Sequence, residues 1–158
     1  MPRPRAELPR LSSRHSPVEV ALTLLLAWLV PGAGFLAHGR IGRGLTLFIA
    51  LHLTFVLGVL MHGGVAWPVW SASDPGFNIV NNLTFIIQLG NGLPSLASLY
   101  ATAKGAHGWL SFLAADLSHP LFDLSSFYLL VAGAMNYFAV CNTYDRLFAR
   151  RAQEETAG

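Results

Sequence analysis

From Val20 to Tyr144 the chain carries only six charged side chains: Arg40, Arg43, Asp74, Lys104, Asp116 and Asp123. All six fall at the ends of apolar runs or between them. A soluble domain holds about 25% charged residues. This chain holds 11%, with 53% hydrophobic residues and a positive mean hydropathy. Long apolar runs with charges only at their borders suit a bilayer, whose hydrocarbon core takes about 20 apolar residues per helix. The expected fold is all-α, an integral membrane bundle of about four transmembrane helices. At 158 residues there is room for one domain. The pI near 9.0 does not point to nucleic acid. The basic residues sit at the termini and beside apolar runs, where orientation and anionic headgroups account for them. The single Cys141 excludes an internal disulfide and any cysteine-based metal cluster.

Within this frame one stretch is unusual. Asn81 to Thr102 is apolar enough for a bilayer, yet carries Asn81, Thr84, Gln88, Asn91, Ser95, Ser98 and Thr102. The spacing alternates between three and four residues, which on a helix draws one polar stripe down one face. Polar side chains at membrane depth are costly unless they face other helices or water. The stripe is open to three readings: hydrogen-bonding glue between helices, the lining of a ligand, ion or water path, or a helix that is not fully inserted. Ser126, Gly133, Asn136 and Thr143 share a face of the last apolar run and form the natural partner. In antiparallel neighbours, Gln88 or Asn91 is expected to pair with Asn136, amide to amide.

Taken in order, residues 1–17 hold four Arg and four Pro and form a basic, mobile arm. An arm of charge before an apolar run also resembles a secretory signal, but the run exceeds the usual length of such a core. The membrane domain is expected over 18–147, with spans at about 18–38, 44–62, 78–102 and 124–145, and a tail over 148–158. Pro31, Gly32 and Gly34 interrupt the first span; they predict either a kink or a broken, re-entrant helix. A tight link, His38 to Gly44, leads to the second span, where Thr54 and Gly58 form a small-xxx-small pair. Trp67 and Trp70 in loop 63–77 suit an interface, and Asp74-Pro75-Gly76 is a turn. Gly90, Gly92 and Pro94 predict a second irregularity. A short amphipathic piece, Trp109 to Leu117, is expected along the interface.

Orientation meets a conflict. Basic termini belong on the cytoplasmic side, which needs an even number of crossings. Four crossings put Arg40 and Arg43 outside and the Arg-free loop 63–77 inside. If only the first helix turns back, Arg40, Arg43 and Lys104 are inside but the Arg-rich C-terminus is outside. The first basic segment and the tail favour four crossings, with both termini cytoplasmic.

Few residues suggest chemistry. His52, near the centre of the second span, could ligate haem or a chlorophyll magnesium or carry protons, or simply hydrogen-bond to a neighbour. Asp116, His119 and Asp123 have metal-ligand types, but Pro120 intervenes and solvated loop charges account for them. No catalytic residue, resident metal or cofactor is indicated, and nothing in the sequence supports an enzyme.

Two segments carry a resemblance. Residues 27–45, AWLVPGAGFLAHGRIGRGL, hold a Pro-Gly-x-Gly, Gly-Arg, Arg-Gly hairpin built on Pro31, Gly32, Gly34, Arg40 and Arg43. Residues 127–151, FYLLVAGAMNYFAVCNTYDRLFARR, hold Ala-Gly, a mid-helix Asn and a Tyr-Asp near the exit. Together they resemble a family of small bacterial multi-pass membrane proteins of unknown function; the hairpin is more distantly similar to the two-helix hairpin domain of the TM-two type. The resemblance implies a bacterial inner-membrane protein of about four helices and no particular activity. The expected partners are the lipid bilayer and other membrane subunits, or further copies of the chain. The expected role is a structural or accessory subunit of a larger complex, respiratory or photosynthetic. The alternative is a small oligomeric transporter or channel using the stripe.

Overall fold

The computed structural model describes residues 17–105 and 107–156. The basic arm, apart from Pro17, lies outside the described residues. Those described are helical, with turns and loops between. Helix α1 is Pro17–Leu29, opened by Pro17 in its first turn and with Glu19 near its positive end. It stops before Pro31, and Gly32 takes a left-handed φ of 87° at the turn. A short helix α2, Ala33–Ala37, then folds back on α1: a Cβ placed on Gly34 would lie 3.0 Å from the Ala27 Cβ. Residues seven apart in a continuous helix are two turns apart, about 10 Å. The interruption at Pro31-Gly32 is therefore a reversal and not a kink.

Helix α3, Ile41–Leu60, is unbroken. Helix α4, Ile79–Gln88, starts at Asn78, whose side-chain oxygen accepts from the Val80 and Asn81 N–H groups at 2.9 and 3.4 Å. One 3-10 turn, Leu89–Asn91, and Gly92 at φ 68° end it. Helix α5, Leu93–Lys104, begins with Pro94 in its first turn and closes on Gly105. It too turns back, because Ser95 Oγ donates to Gln88 O, seven residues earlier. The connection after it holds a 3-10 segment, Gly108–Leu113, where an amphipathic helix over 109–117 was expected. Helix α6 is Phe122–Thr156 and runs without interruption through the expected tail.

Among the described residues, two helices are long and apolar enough to cross a membrane: α3 and the Phe122–Leu147 stretch of α6. Helix α1 is apolar but, at 13 residues, shorter. Helices α3 and α6 are packed antiparallel, with Gly58 against Leu129 and Ser125. Between them sits an apolar cluster of Phe55, Val59, Val65 and Leu129, joined by Phe85 of α4 and Leu99 of α5. The outward surface is strongly apolar, and several polar side chains are buried beside the apolar core. Outward positions are apolar, as with Leu22 at 59%, Leu53 at 58% and Phe138 at 77% exposure. Inward ones include Asn91, Ser95, Ser98 and Asn136, at most 2% exposed. Water rewards the opposite arrangement, whereas in lipid only the inward face can satisfy polar groups.

Candidate functional site

The two reversals meet beside the middle of α6. Each stops a helix and frees carbonyls that would have accepted the next turn's N–H groups. Asn136, fully buried on α6, donates through Nδ2 to Trp28 O at 3.0 Å and to Gly90 O at 2.8 Å. One amide thus satisfies the carbonyl end of α1 and that of the α4 segment together. The two acceptors settle which amide atom is nitrogen, since an oxygen there would face two carbonyls. Gly92 lies against Trp28 O and Leu29 O, at φ 68° and with no room for a Cβ, so the two tips are in direct contact.

Asn91 does the same one turn away. Its Nδ2 donates to Gln88 O at 2.9 Å and to Leu129 O at 2.8 Å, tying the 3-10 turn to α6. Gln88 Nε2 donates to Ser126 O at 3.1 Å and to Ser126 Oγ at 2.8 Å. On α5, Ser98 Oγ donates to Leu113 O at 2.7 Å and accepts from Val65 N–H at 2.9 Å. Thr102 Oγ1 donates to Ser98 O and accepts from Ala115 N–H. Gln88, Asn91, Ser95 and Ser98 therefore all face inward, as the stripe implied.

The amide pairing did not form as expected. Gln88 and Asn91 bond to backbone and to Ser126, and Asn136 bonds to two backbone carbonyls. The upper end of the stripe also differs. Asn81 is exposed and Thr84 half-buried, while Asn82, 5% exposed, points inward and donates to Val69 O at 2.7 Å. A single stripe over 81–102 assumes one uninterrupted helix. Within α4 itself the buried residues are Asn82 and Gln88, with Phe85 partly buried between them. The sequence reading missed Asn82 and the two carbonyls, whereas Ser126 stands on the α6 face it named as the stripe's partner. Pro31 and Gly92 were the available signal, since a broken helix needs new donors for its freed acceptors.

Among the described residues, two buried side-chain atoms lack a hydrogen-bond partner, Asn136 Oδ1 and Asn82 Oδ1. The remaining candidates lie elsewhere. Gly34 packs on Thr143, and Arg146 lies over the Phe35 ring at 5.8 Å. Arg40 and Arg43 are exposed at the start of α3. His52 is half-buried; its Nδ1 is 2.9 Å from Phe48 O and its ring centroid 4.0 Å from that of Phe48. At the far end of α3, His62 has a positive φ of 64° and stacks on His119 at 4.1 Å. Asp116 there is held below its ordinary carboxyl pKa by the Ser118 hydroxyl and N–H, then by His119 and His62. Asp123 is exposed. Among the described residues, no three His, Cys, Asp or Glu side chains group to hold a metal ion.

Residues 22–154 match the family described as Family of unknown function (DUF6677), and the chain belongs to that family. No curated protein and no solved structure matches it.

Proposed function

We propose that the chain is a multi-pass protein of the bacterial cytoplasmic membrane that works by packing, as a structural or accessory subunit beside other membrane proteins and without catalysis of its own. One observation carries this reading. The inward polar groups Gln88, Asn91, Ser95, Ser98 and Asn136 are engaged with backbone and neighbouring side chains. A permeation path along the stripe needs those groups turned to a lumen, whereas here they hold the broken helices together. What remains for partners is the outward apolar surface, with Leu53, Val56, Leu57 and Leu60 along α3. Membrane helices associate by close packing at such surfaces.

A second reading, a small oligomeric transporter or channel, draws on the meeting of two discontinuous helices at Asn136, whose Oδ1 has no partner. Purification of the native chain in mild detergent separates the two. The subunit reading expects a stoichiometric membrane partner that is lost when Leu53 and Leu57 are changed to tryptophan while the fold is kept. A lone oligomer that carries ions or solutes across reconstituted vesicles refutes it in favour of transport.

A further inference from the structure

We infer that the chain crosses its bilayer twice, on α3 and α6, and enters it twice more without crossing, through two hairpins from opposite leaflets, so that its arginines gather on one face against anionic headgroups. This rests on the membrane reading above and supplies the topology that reading leaves open.

Helix α6 serves as a ruler. From Ser125 to Arg146 it extends about 30 Å at about 1.5 Å per residue, the thickness of a hydrocarbon core. Gly63, just past α3, lies against Ser125 at one end. Further along, Leu129 O takes the Asn91 amide and Gly133 faces Ile87. Asn136 meets Trp28 and Gly90. Thr143 faces Gly34, and Arg146 covers Phe35. These contacts set the α1–α2 hairpin against the half from Asn136 to Arg146, and the tip of the α4–α5 hairpin ends where that half begins.

The directions are fixed by neighbouring atoms. Trp28 O, before the reversal, bonds to Asn136, while Gly34, after it, lies against Thr143, two turns nearer Arg146. So α1 runs inward from the Arg146 end, and α2 leads back out to Arg40 and Arg43. The other hairpin is its mirror. Asn82 bonds Val69 in the loop beyond α3, Gly90 reaches Asn136, and Ser98 returns to Val65. Phe85 going in and Leu99 coming out flank the same cluster. Lengths agree: α1, α4 and α5 span about 20, 15 and 18 Å, too short to cross.

This topology removes the charge conflict. Arg40, Arg43 and Arg146 share one face, and the sequence before Pro17, with Arg3, Arg5, Arg10 and Arg14, leads into it. Arg150 and Arg151 continue α6 from that same face. The opposite face holds Lys104 with Asp74, Asp116 and Asp123. All nine arginines thus fall on the side that basic residues favour, next to an anionic leaflet.

Single cysteines test it, placed in the full chain after Cys141→Ser. The positions are Gly42, Ser73, Leu117 and Ala152, each labelled with a membrane-impermeant maleimide in intact cells and in inverted vesicles. Gly42 is an open position, with nothing near where its Cβ would go. The expected result is that Gly42→Cys and Ala152→Cys label only in inverted vesicles, and Ser73→Cys and Leu117→Cys only in cells. Ser73→Cys and Leu117→Cys on opposite sides overturns the topology, because four crossings place them so. Extraction of the chain by alkaline carbonate instead refutes the membrane reading itself. For the leaflet, phosphatidylglycerol added to the purified protein is expected to raise its melting temperature more than phosphatidylcholine does. Arg40→Gln with Arg43→Gln should reduce that difference, and equal shifts for both lipids in the wild-type chain remove the anionic leaflet from the proposal.

Discussion

Asn136→Leu is the most direct probe of the tip junction. Leucine keeps asparagine's branched outline but is bulkier, so at this buried position a repacking cost adds to the polar loss. The change removes two hydrogen bonds, to Trp28 O and Gly90 O. In membrane proteins such bonds contribute about 0.6 kcal/mol each on average and up to about 1.7. The acceptors remain, because both are backbone carbonyls, and an unsatisfied buried polar group costs about 1–3 kcal/mol. Against this, the substitution also removes Oδ1, which is already unpartnered. One relieved orphan against two new ones leaves a net polar loss of about 1–3 kcal/mol. Asn82→Leu supplies the internal control. It loses one bond, to Val69 O, and one orphan oxygen, so the two nearly cancel and the change should stay within about 1 kcal/mol. The assay is reversible unfolding in dodecyl maltoside with rising mole fraction of dodecyl sulfate, followed by far-UV circular dichroism. Wild-type stability in Asn136→Leu, or an equal loss in Asn82→Leu, refutes the reasoning.

Gly34→Leu should sharply reduce the yield of monodisperse protein in size-exclusion chromatography, because a Cβ there already meets the Thr143 and Ala27 side chains; a normal elution profile counts against the hairpin contact. For Asp116 the sign is set by a folded pKa below the ordinary 3.8. The carboxylate's contribution is present above that value and fades as pH falls through the lower folded one. The melting-temperature gap between wild type and Asp116→Asn should therefore persist at neutral pH and close only in strong acid. A gap that widens below the ordinary value means the carboxyl is not stabilised by Ser118.

The breaks were legible in the sequence because they are local. Pro31, Gly32, Gly92 and Pro94 stop a helix wherever they stand. The direction the chain takes after a break is not local. A kinked span and a reversed hairpin have the same proline and glycines; the choice falls to packing, here Gly34 on Thr143 and Ala27, and Leu36 on Gly44. The inward residues Gln88, Asn91, Ser95, Ser98 and Asn136 were legible as polar groups that lipid would not accept. Their partners were not, because a count of polar side chains omits the carbonyls that broken helices release. Asn81 was misplaced because it stands in the first turn of α4, at the outer end of its hairpin, where a position on the stripe is not covered by a neighbouring helix.

The identity of the side chain at the junction is dictated by those released carbonyls. The C-terminal ends of α1 and α4 converge there, and each carries the partial negative end of a helix dipole. A lysine could serve both acceptors, but would place a charge at membrane depth. A serine has one proton for two carbonyls. An asparagine offers two N–H groups in one plane without net charge, and its unused oxygen is the smaller cost. Sharing one amide couples the hairpins: if either tip withdraws, the other loses half of its donor's hold. The wild-type chain should then unfold both hairpins together. Trp28 on α1 reports one, and Trp67, packed near the Phe85 ring at 6.2 Å, reports the other. With each as the sole tryptophan, fluorescence midpoints should coincide in the wild-type background and separate with Asn136→Leu. Midpoints already apart before the change mean that the tips touch without being coupled.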